Sequence, residues 1–340
     1  MSRLLFCLLF FSLSVGAAEL PRWQLSTLPK AASLRGSAVG AHSLWVSGTD
    51  NTVFRSTDRG VTWRDVSVAA QPVTDFRDIQ LFDDNTAIVM GVGSGSQSRL
   101  YLTEDGGGSW KLLYENPDAQ GFFDSIAFWD RQHGLLLGDP VNGYYTVAAT
   151  RDGGRTWQRI GKKALPPILD HEAAFAASGN TLISGEKGRA WFTTGGFAAS
   201  VYSSDDYGRS WQRSAVPLHR QTQTSGGYAM ARNNAGDLFV MGGDYQNRPG
   251  QYNNLARLPA ADRNTAAAWQ VADNGGRGLR TAMACVGQAC IASGKTASDI
   301  SLDAGTSWQP LPGTGFYTLA AGDSVILGAG AEGRVGVIEM

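Results

Sequence analysis

One eight-residue pattern, repeated along the chain, constrains the fold more than any other feature. The pattern is Ser/Thr-x-Asp-x-Gly-x-Ser/Thr-Trp, and it occurs at residues 56–63, 103–110, 150–157, 204–211 and 301–308. A decayed copy in the same frame runs from Asp262 to Trp269. The tryptophans of these copies recur at intervals of about 40 to 58 residues, which predicts a propeller in which each repeat supplies one four-stranded blade.

The residue types of this pattern, which we call the Asp box, suit a hairpin turn. The aspartate can accept backbone N–H groups across the turn, and the glycine can adopt a positive φ. The tryptophan begins the next strand and can bury its ring between adjacent sheets. Because turn chemistry explains every position, we do not expect the Asp-box aspartates to be acids in catalysis or metal ligands.

The strands between Asp boxes and at both chain ends predict the number of blades. In the second repeat, strands are expected at residues 77–82, 86–91, 99–103 and 110–114. One further blade would combine an N-terminal strand with three C-terminal strands, at residues 23–26, 316–320, 324–329 and 334–338. The prediction is an all-β, seven-bladed β-propeller of four-stranded antiparallel blades, whose last blade is closed by both termini so that no sheet edge remains exposed.

The N-terminus has the pattern of a secretory signal peptide. Arg3 precedes an apolar run from Leu4 to Val15, and small residues follow at Ala17 and Ala18. We predict a signal peptide over 1–18 and a single propeller domain over 19–340. The alternative, an uncleaved anchor helix, is disfavoured because the apolar run is shorter than a membrane span. The mature protein is therefore expected in the periplasm or secreted, without a membrane span.

Two cysteines remain after the predicted cleavage, Cys285 and Cys290. They lie on two apolar segments joined by a short turn that contains Gly287, as in a hairpin. Facing residues of a hairpin are close enough for a disulfide, which an oxidising compartment would preserve. The alternative is a pair of buried free thiols.

Composition excludes several functions. The chain of 340 residues has 29 Lys and Arg against 30 Asp and Glu, a net charge of −1, so it lacks the basic surface of a nucleic-acid-binding protein. No glycine-rich dinucleotide fingerprint precedes a helix, and four scattered histidines form no zinc pattern. We predict neither a metal nor a cofactor, and we expect a monomer.

Polar residues recur where inner strands should start, as at Glu172, and where second strands should end, as at Glu186, Lys187 and Lys295. In a propeller these positions meet at one end of the channel, together with the longer loops at 91–98, 190–200 and 243–254. They predict a rim of mixed charge that binds a partner; alternatively, the charges pair with one another and hold the blades together. The candidate partner-binding residues are Arg35, Arg77, Asp78, Asp139, His171, Asp244, Tyr245 and Arg280.

Beyond these patterns, the chain resembles known proteins. Its Asp boxes resemble the BNR/Asp-box repeats of sialidases. The segments 34–36, 76–79, 128–130 and 133–140 resemble the photosystem II stability/assembly factor-like family, in particular its bacterial members. That resemblance covers residues 23–340 and implies a lumenal or periplasmic propeller that assists the assembly of a membrane complex. It also implies an arginine-lined surface, for which Arg35, Arg77 and Arg280 are the matching positions.

Two functions of different classes follow. The first is a non-catalytic extracytoplasmic scaffold or assembly factor that binds a protein partner, such as a membrane complex or its assembly intermediate, through the charged rim. The alternative is a glycoside hydrolase of the sialidase-like propeller type, which would need a carboxylate pair or an arginine clamp. Its catalytic candidates are Asp124, Asp139, Glu172 and Tyr228, although the Arg-Ile-Pro signature of sialidases is missing.

Overall fold

The computed structural model describes residues 20–262 and 269–340, which form seven four-stranded antiparallel sheets arranged as the blades of a propeller. The first strands in chain order are β1 (Gln24–Thr27), β2 (Leu34–Val39), β3 (Leu44–Gly48), β4 (Val53–Ser56), β5 (Arg64–Asp65), β6 (Asp75–Leu81), β7 (Ala87–Val92), β8 (Arg99–Thr103), β9 (Lys111–Glu115), β10 (Phe123–Phe128), β11 (Gly134–Val141), β12 (Tyr144–Thr150) and β13 (Gln158–Arg159). The remaining strands are β14 (Leu182–Ser184), β15 (Ala190–Thr194), β16 (Ser200–Ser204), β17 (Gln212–Ala215), β18 (Ser225–Arg232), β19 (Leu238–Asp244), β20 (Leu255–Leu258), β21 (Gln270–Val271), β22 (Ala282–Val286), β23 (Ala289–Ser293), β24 (Ser298–Ser301), β25 (Gln309–Leu311), β26 (Thr318–Ala321), β27 (Val325–Ala329) and β28 (Arg334–Glu339).

The seven-bladed prediction is confirmed, including the closure of the ring. Blades 1 to 6 each use four consecutive strands, from β2–β5 through β22–β25. Blade 7 has the order β1-β28-β27-β26, so the N-terminal strand pairs with the C-terminal one, from Gln24 opposite Val337 to Thr27 opposite Arg334. The strands predicted for the second repeat and for the composite blade all lie within two residues of the observed ones.

The Asp boxes form the turns between third and outer strands. In blade 3 the carboxylate of Asp152 accepts hydrogen bonds from the Thr156 N–H at 2.9 Å, the Thr156 hydroxyl at 2.6 Å and the Thr150 hydroxyl at 2.9 Å. Gly154 has φ +85°, and its carbonyl accepts a bond from Trp157 Nε1 at 2.9 Å. Residues 263–268 of the decayed sixth copy lie outside the described residues, but Trp269 is buried between blades 4 and 5.

Blade 4 departs from the prediction that its inner strand starts at Glu172. The observed inner strand, β14, begins ten residues later at Leu182, and residues 173–181 instead cross the channel. Two other expectations about this blade are therefore wrong. Glu186 and Lys187 lie in the turn between inner and second strands, on the Asp-box face, and residues 190–194 of the expected loop 190–200 form strand β15.

We call residues 173–181 the channel segment, because it contacts the inner strands of the six other blades or the residues that flank them. Most of its side chains are small, with the sequence Ala-Ala-Phe-Ala-Ala-Ser-Gly-Asn over residues 173–180, which allows it to fit the narrow channel. Its carbonyl oxygens accept bonds from Arg35, Arg77, Ser125, Met230 and Thr318, and Ser178 donates to the carbonyl of Thr281. The central channel is therefore closed by the chain itself.

Outside the sheets, two sequence predictions concern covalent and membrane features. Cys285 and Cys290 face each other on β22 and β23, with Cα atoms 4.0 Å apart, and form a disulfide, as predicted. Within the described ranges, helices are limited to 3-10 turns at Gly95–Gln97, Lys162–Ala164, Glu186–Gly188, Ala260–Asp262 and Ala331–Gly333. None of these is long and apolar enough to cross a membrane. The predicted signal peptide, residues 1–18, lies outside the described residues.

The Asp-box tryptophans that are buried, Trp211 and Trp269, should contribute much of the stability of the contacts between neighbouring blades. Trp211 is 5% exposed and packs with Phe192 and Tyr202 in the core between blades 3 and 4. Trp211→Ala should lower the free energy of unfolding by about 3–5 kcal/mol, because it leaves a large cavity. The measurement is urea denaturation, with Arg209→Ala in the same turn as an exposed control. A loss no larger than that of the control would contradict this role of the tryptophan.

Candidate functional site

A pocket of about 340 Å³ opens at the mouth of the channel, on the face opposite the Asp boxes. It is bounded by inner-strand starts and by loops that follow second strands, as the sequence predicted for a site. The channel segment forms its floor through residues 174–177. Its lining comprises Arg35, Arg77, Phe122, Asp124, Asp139, Ala174, Phe175, Ala176, Ala177, Tyr228, Tyr245, Arg248, Leu279, Thr281, Lys295 and Tyr317.

β-Bulges aim four of these side chains. The pairing register shifts once in each of the inner strands β2, β6, β10 and β18, and the skipped residues are Arg35, Arg77, Asp124 and Tyr228. A bulge adds one residue to a strand and redirects its side chain out of the regular alternation. The same irregularity therefore places a large polar residue from blades 1, 2, 3 and 5 in one pocket.

The basic wall of the pocket consists of two neighbouring arginines. Arg35 stacks its guanidinium over the Tyr317 ring at 4.3 Å and donates to the Ala177 carbonyl at 3.3 Å. Arg77 donates to the Ala176 carbonyl at 3.0 Å, and Asp75 lies 3.8 Å from its guanidinium. Burial and then the positive charge of Arg77 lower the pKa of Arg35. Two like charges this close favour an anion between them.

The acidic wall comes from adjacent strands of blade 3. Asp124 is 1% exposed, and Asp139 follows at the end of β11. Burial, together with the nearby charge of Asp139, raises the pKa of Asp124 well above its usual value. Burial also raises the pKa of Asp139, although the Ala174 N–H donates to its carboxylate. The two carboxyl groups thus resist ionising together.

An aromatic side completes the pocket. Phe175 of the channel segment stacks on Tyr228 with ring centroids 4.4 Å apart, and Tyr245 packs edge-on at 6.3 Å. The hydroxyl of Tyr228 donates to the Thr224 carbonyl at 2.5 Å, which takes it out of the pocket and leaves it poorly placed as a nucleophile. Tyr245 stays 42% exposed at the lip.

Five of the predicted site residues lie elsewhere. Arg280 is fully buried and pairs with Asp299 at 2.7 Å, so the expectation that it lines the surface with Arg35 and Arg77 is wrong. It precedes the inner strand β22, and the residue of this blade that lines the pocket is the next one, Thr281. His171 lies exposed outside the pocket, with its ring 5.9 Å from Phe197.

The other three residues are buried acids with their own partners. Glu172 accepts bonds from Thr194, Tyr202 and the Leu169 N–H, and it lies between blades 3 and 4 instead of at an inner-strand start. Asp244 accepts bonds from Thr222, Thr224 and the Gln246 N–H; despite its burial, these bonds lower the pKa of Asp244. Asp78 joins blade 2 to blade 3 through Ser125 and the Ile126 N–H.

The sequence analysis missed the floor of the pocket. Nothing in the run of alanines around Phe175 distinguishes a channel-crossing segment from a buried strand. Arg248 and Lys295, by contrast, follow second strands, which is the position rule that found Asp139 and Tyr245.

With this geometry in view, comparison with known proteins identifies the family. A family model described as the DUF6242 beta propeller domain matches residues 13–257, more than half of the chain. The chain belongs to this family. No curated protein matches its sequence.

Several solved structures are similar to this DUF6242 chain. "YCF48 bound to D1 peptide" is 16% identical with a TM-score of 0.66, over 95% of this chain and 96% of that one. "YCF48 from Cyanidioschyzon merolae" is also 16% identical, with a TM-score of 0.66 over 93% and 98%. Virginiamycin B lyase from Staphylococcus aureus is 12% identical, with a TM-score of 0.61 over 94% and 100%. At these identities the likeness shows the fold alone, which is shared by a peptide-bound protein and a lyase.

The stability of the protein should depend on pH through Asp78, which links blade 2 to blade 3 by hydrogen bonds. Burial raises the pKa of Asp78 to about 7, against the hydrogen bonds from Ile126 and Ser125. The folded state therefore favours the protonated acid, and this group reduces stability as pH rises from about 4, its unfolded value, towards 7. Asp78→Asn should gain stability relative to the native protein, on the order of 4 kcal/mol near pH 8 and little near pH 4. Urea midpoints at both pH values, with exposed Asp323→Asn as the control, check this; a pH-independent difference would refute it.

Proposed function

We propose that this protein is a non-catalytic extracytoplasmic scaffold that binds a segment of a protein partner in the channel-mouth pocket. The observation that supports the proposal is the pair Arg35 and Arg77, which β-bulges turn into the pocket. They lie beside its aromatic side chains and above the channel segment that closes the pocket. A pocket that is largely apolar with a few convergent polar groups is typical of a binding site.

The arginines would hold a carboxylate of the partner segment. Each guanidinium already donates one bond to the channel segment, which fixes its position, and has further N–H groups to offer. Tyr245 and Arg248, in the loop after β19, would contact the segment where it leaves the pocket. The aromatic rings supply contact area with little loss of side-chain entropy.

The cellular setting is part of the proposal. The disulfide between Cys285 and Cys290 supports an oxidising compartment, such as the periplasm or the extracellular medium. The resemblance to the photosystem II stability/assembly factor-like family supports a partner that belongs to a membrane complex or to an intermediate of its assembly. We do not propose the glycoside hydrolase, because Glu172 and Tyr228 are held by other groups and only Asp124 and Asp139 of its candidates offer polar atoms to the pocket.

Two exposed tyrosines on opposite faces provide a matched test of this proposal. Tyr245 lies at the pocket lip and is 42% exposed, whereas Tyr207 lies in an Asp-box turn and is 46% exposed. A photo-crosslinking amino acid at position 245, introduced into the producing organism, should give a discrete protein adduct, and the same group at 207 should not. The adducts are identified by mass spectrometry.

The arginines supply the control for that experiment. Arg35→Ala with Arg77→Ala should abolish the adduct at 245, and Arg77→Lys should reduce it, since lysine keeps the charge but loses the planar fork. A urea midpoint close to the native value establishes that the variants are folded. An adduct that survives the double substitution, or equal adducts at 207 and 245, would overturn the proposal.

A further inference from the structure

The charges of the channel-mouth pocket are segregated by sign. Arg35 and Arg77 come from blades 1 and 2, and Arg248 and Lys295 come from blades 5 and 6. The negative charges, Asp124 and Asp139, both come from blade 3. A ligand that carried only a carboxylate would use one side of this pocket and leave the other side without a partner.

Asp124 differs from the other buried acids near the channel. Asp299 accepts bonds from Arg280 and Asn274, and Glu172, Asp244 and Asp78 each accept bonds from at least two donors. The Oδ2 atom of Asp124 is buried and has no hydrogen-bond partner among residues 20–262 and 269–340. An unsatisfied buried acceptor is costly, so a group of this kind needs an explanation.

The bulge in β10 explains why the Oδ2 atom of Asp124 has no hydrogen-bond partner. The bulge turns Asp124 away from the sheet and into the pocket, next to Asp139 at the end of the neighbouring strand. Phe122, Ala174 and Phe175 surround the pair with apolar surface. No described side chain donates to Oδ2, so this acceptor beside the pocket is left for a donor that a ligand would bring.

We propose that Asp124 and Asp139 form a subsite for a primary ammonium group, so that the pocket takes a zwitterionic ligand. The ligand would be a segment in which a lysine-type amine and a carboxylate are joined by a short aliphatic stretch. The ammonium has three N–H donors and can reach both carboxylates, while the carboxylate end contacts Arg35 and Arg77. Only the carboxylate end of this ligand rests on the proposed function; the ammonium subsite is argued from Asp124 and Asp139.

An ammonium fits this subsite better than a metal ion. Two carboxylates are too few for a dedicated metal site, and no group of three potential metal ligands occurs in the described part of the chain. The apolar side chains around the pair would contact the methylene groups of a lysine-type chain, which bury favourably. Arg77, the positive charge closest to Asp124, is held back by its bond to Ala176.

The subsite should depend on pH. Besides Arg77, the groups that face the acid pair are Tyr145 from β12, with Glu172 behind it, and Arg35, Arg248 and Lys295 across the pocket. Because burial raises the pKa of both aspartates, the empty pair retains a proton that an ammonium must displace. Affinity for the ammonium should therefore rise with pH, and binding should release a proton.

Three small probes separate the two halves of the pocket: 6-aminohexanoate, hexanoate and hexylamine. Isothermal titration of the whole protein near pH 8 should show that 6-aminohexanoate binds about tenfold more tightly than hexanoate. Asp124→Asn and, separately, Asp139→Asn should bring that ratio close to one without weakening hexanoate. Asp130→Asn, on the opposite face, is the matched control and should leave the ratio unchanged.

Each outcome decides a different claim. Equal affinity for 6-aminohexanoate and hexanoate would overturn the ammonium subsite and leave the arginine site intact. Hexylamine binding that Asp124→Asn abolishes, without any binding of hexanoate, would support the subsite and count against the arginine site. A ratio that survives both substitutions, or no binding of any probe, would overturn the subsite.

Discussion

Hydrogen bonds between the channel segment and the surrounding blades determine what this propeller can bind. Arg35 and Arg77 donate to its carbonyls at Ala177 and Ala176, and Ser125 and Thr318 donate to it from two further blades. These bonds close the channel and at the same time fix the two guanidinium groups. The functional face therefore has a blind pocket instead of an open pore, and its basic wall is rigid before any ligand arrives.

A single kind of backbone irregularity builds the walls of that pocket. Regular strand alternation would send Arg35, Arg77, Asp124 and Tyr228 into the packing between blades, where an unpaired charge is costly. One bulge in each of four inner strands turns them towards the channel mouth instead. In blade 6 the residue that lines the pocket is Thr281, whereas Arg280, one position earlier, is buried and needs Asp299 as a partner.

The sequence predicts the fold well because the Asp box is a local structure. Every contact that defines the turn, such as those of Asp152 with Thr150 and Thr156, joins residues within four positions of each other. The composite blade is predictable because the N-terminus supplies one strand-like segment and the C-terminus three, so that neither end alone makes a four-stranded blade. Register and bulges depend on neighbouring strands, however, so the sequence could not separate Arg77, which lines the pocket, from Arg280, which does not.

The channel segment was not predictable for a different reason. Residues 173–181 read as an apolar inner strand, and only the ring closed by all seven blades decides whether such a run joins a sheet or crosses the channel. The error displaced Glu172 from an expected strand start to a buried position beside Tyr202. Strand position in the sequence was enough to predict Arg35, Arg77 and Asp139 in the pocket, whereas residues 174–177 of its floor depend on the long-range arrangement of the blades.

A crystal structure of the protein soaked with 6-aminohexanoate tests the central claim most directly, because it locates the floor and both walls together. The account predicts residues 173–181 across the channel, the ligand carboxylate at Arg35 and Arg77, and its ammonium group at Asp124 and Asp139. A channel segment lying outside an open pore, or a ligand bound with its ends reversed or on the Asp-box face, would contradict it.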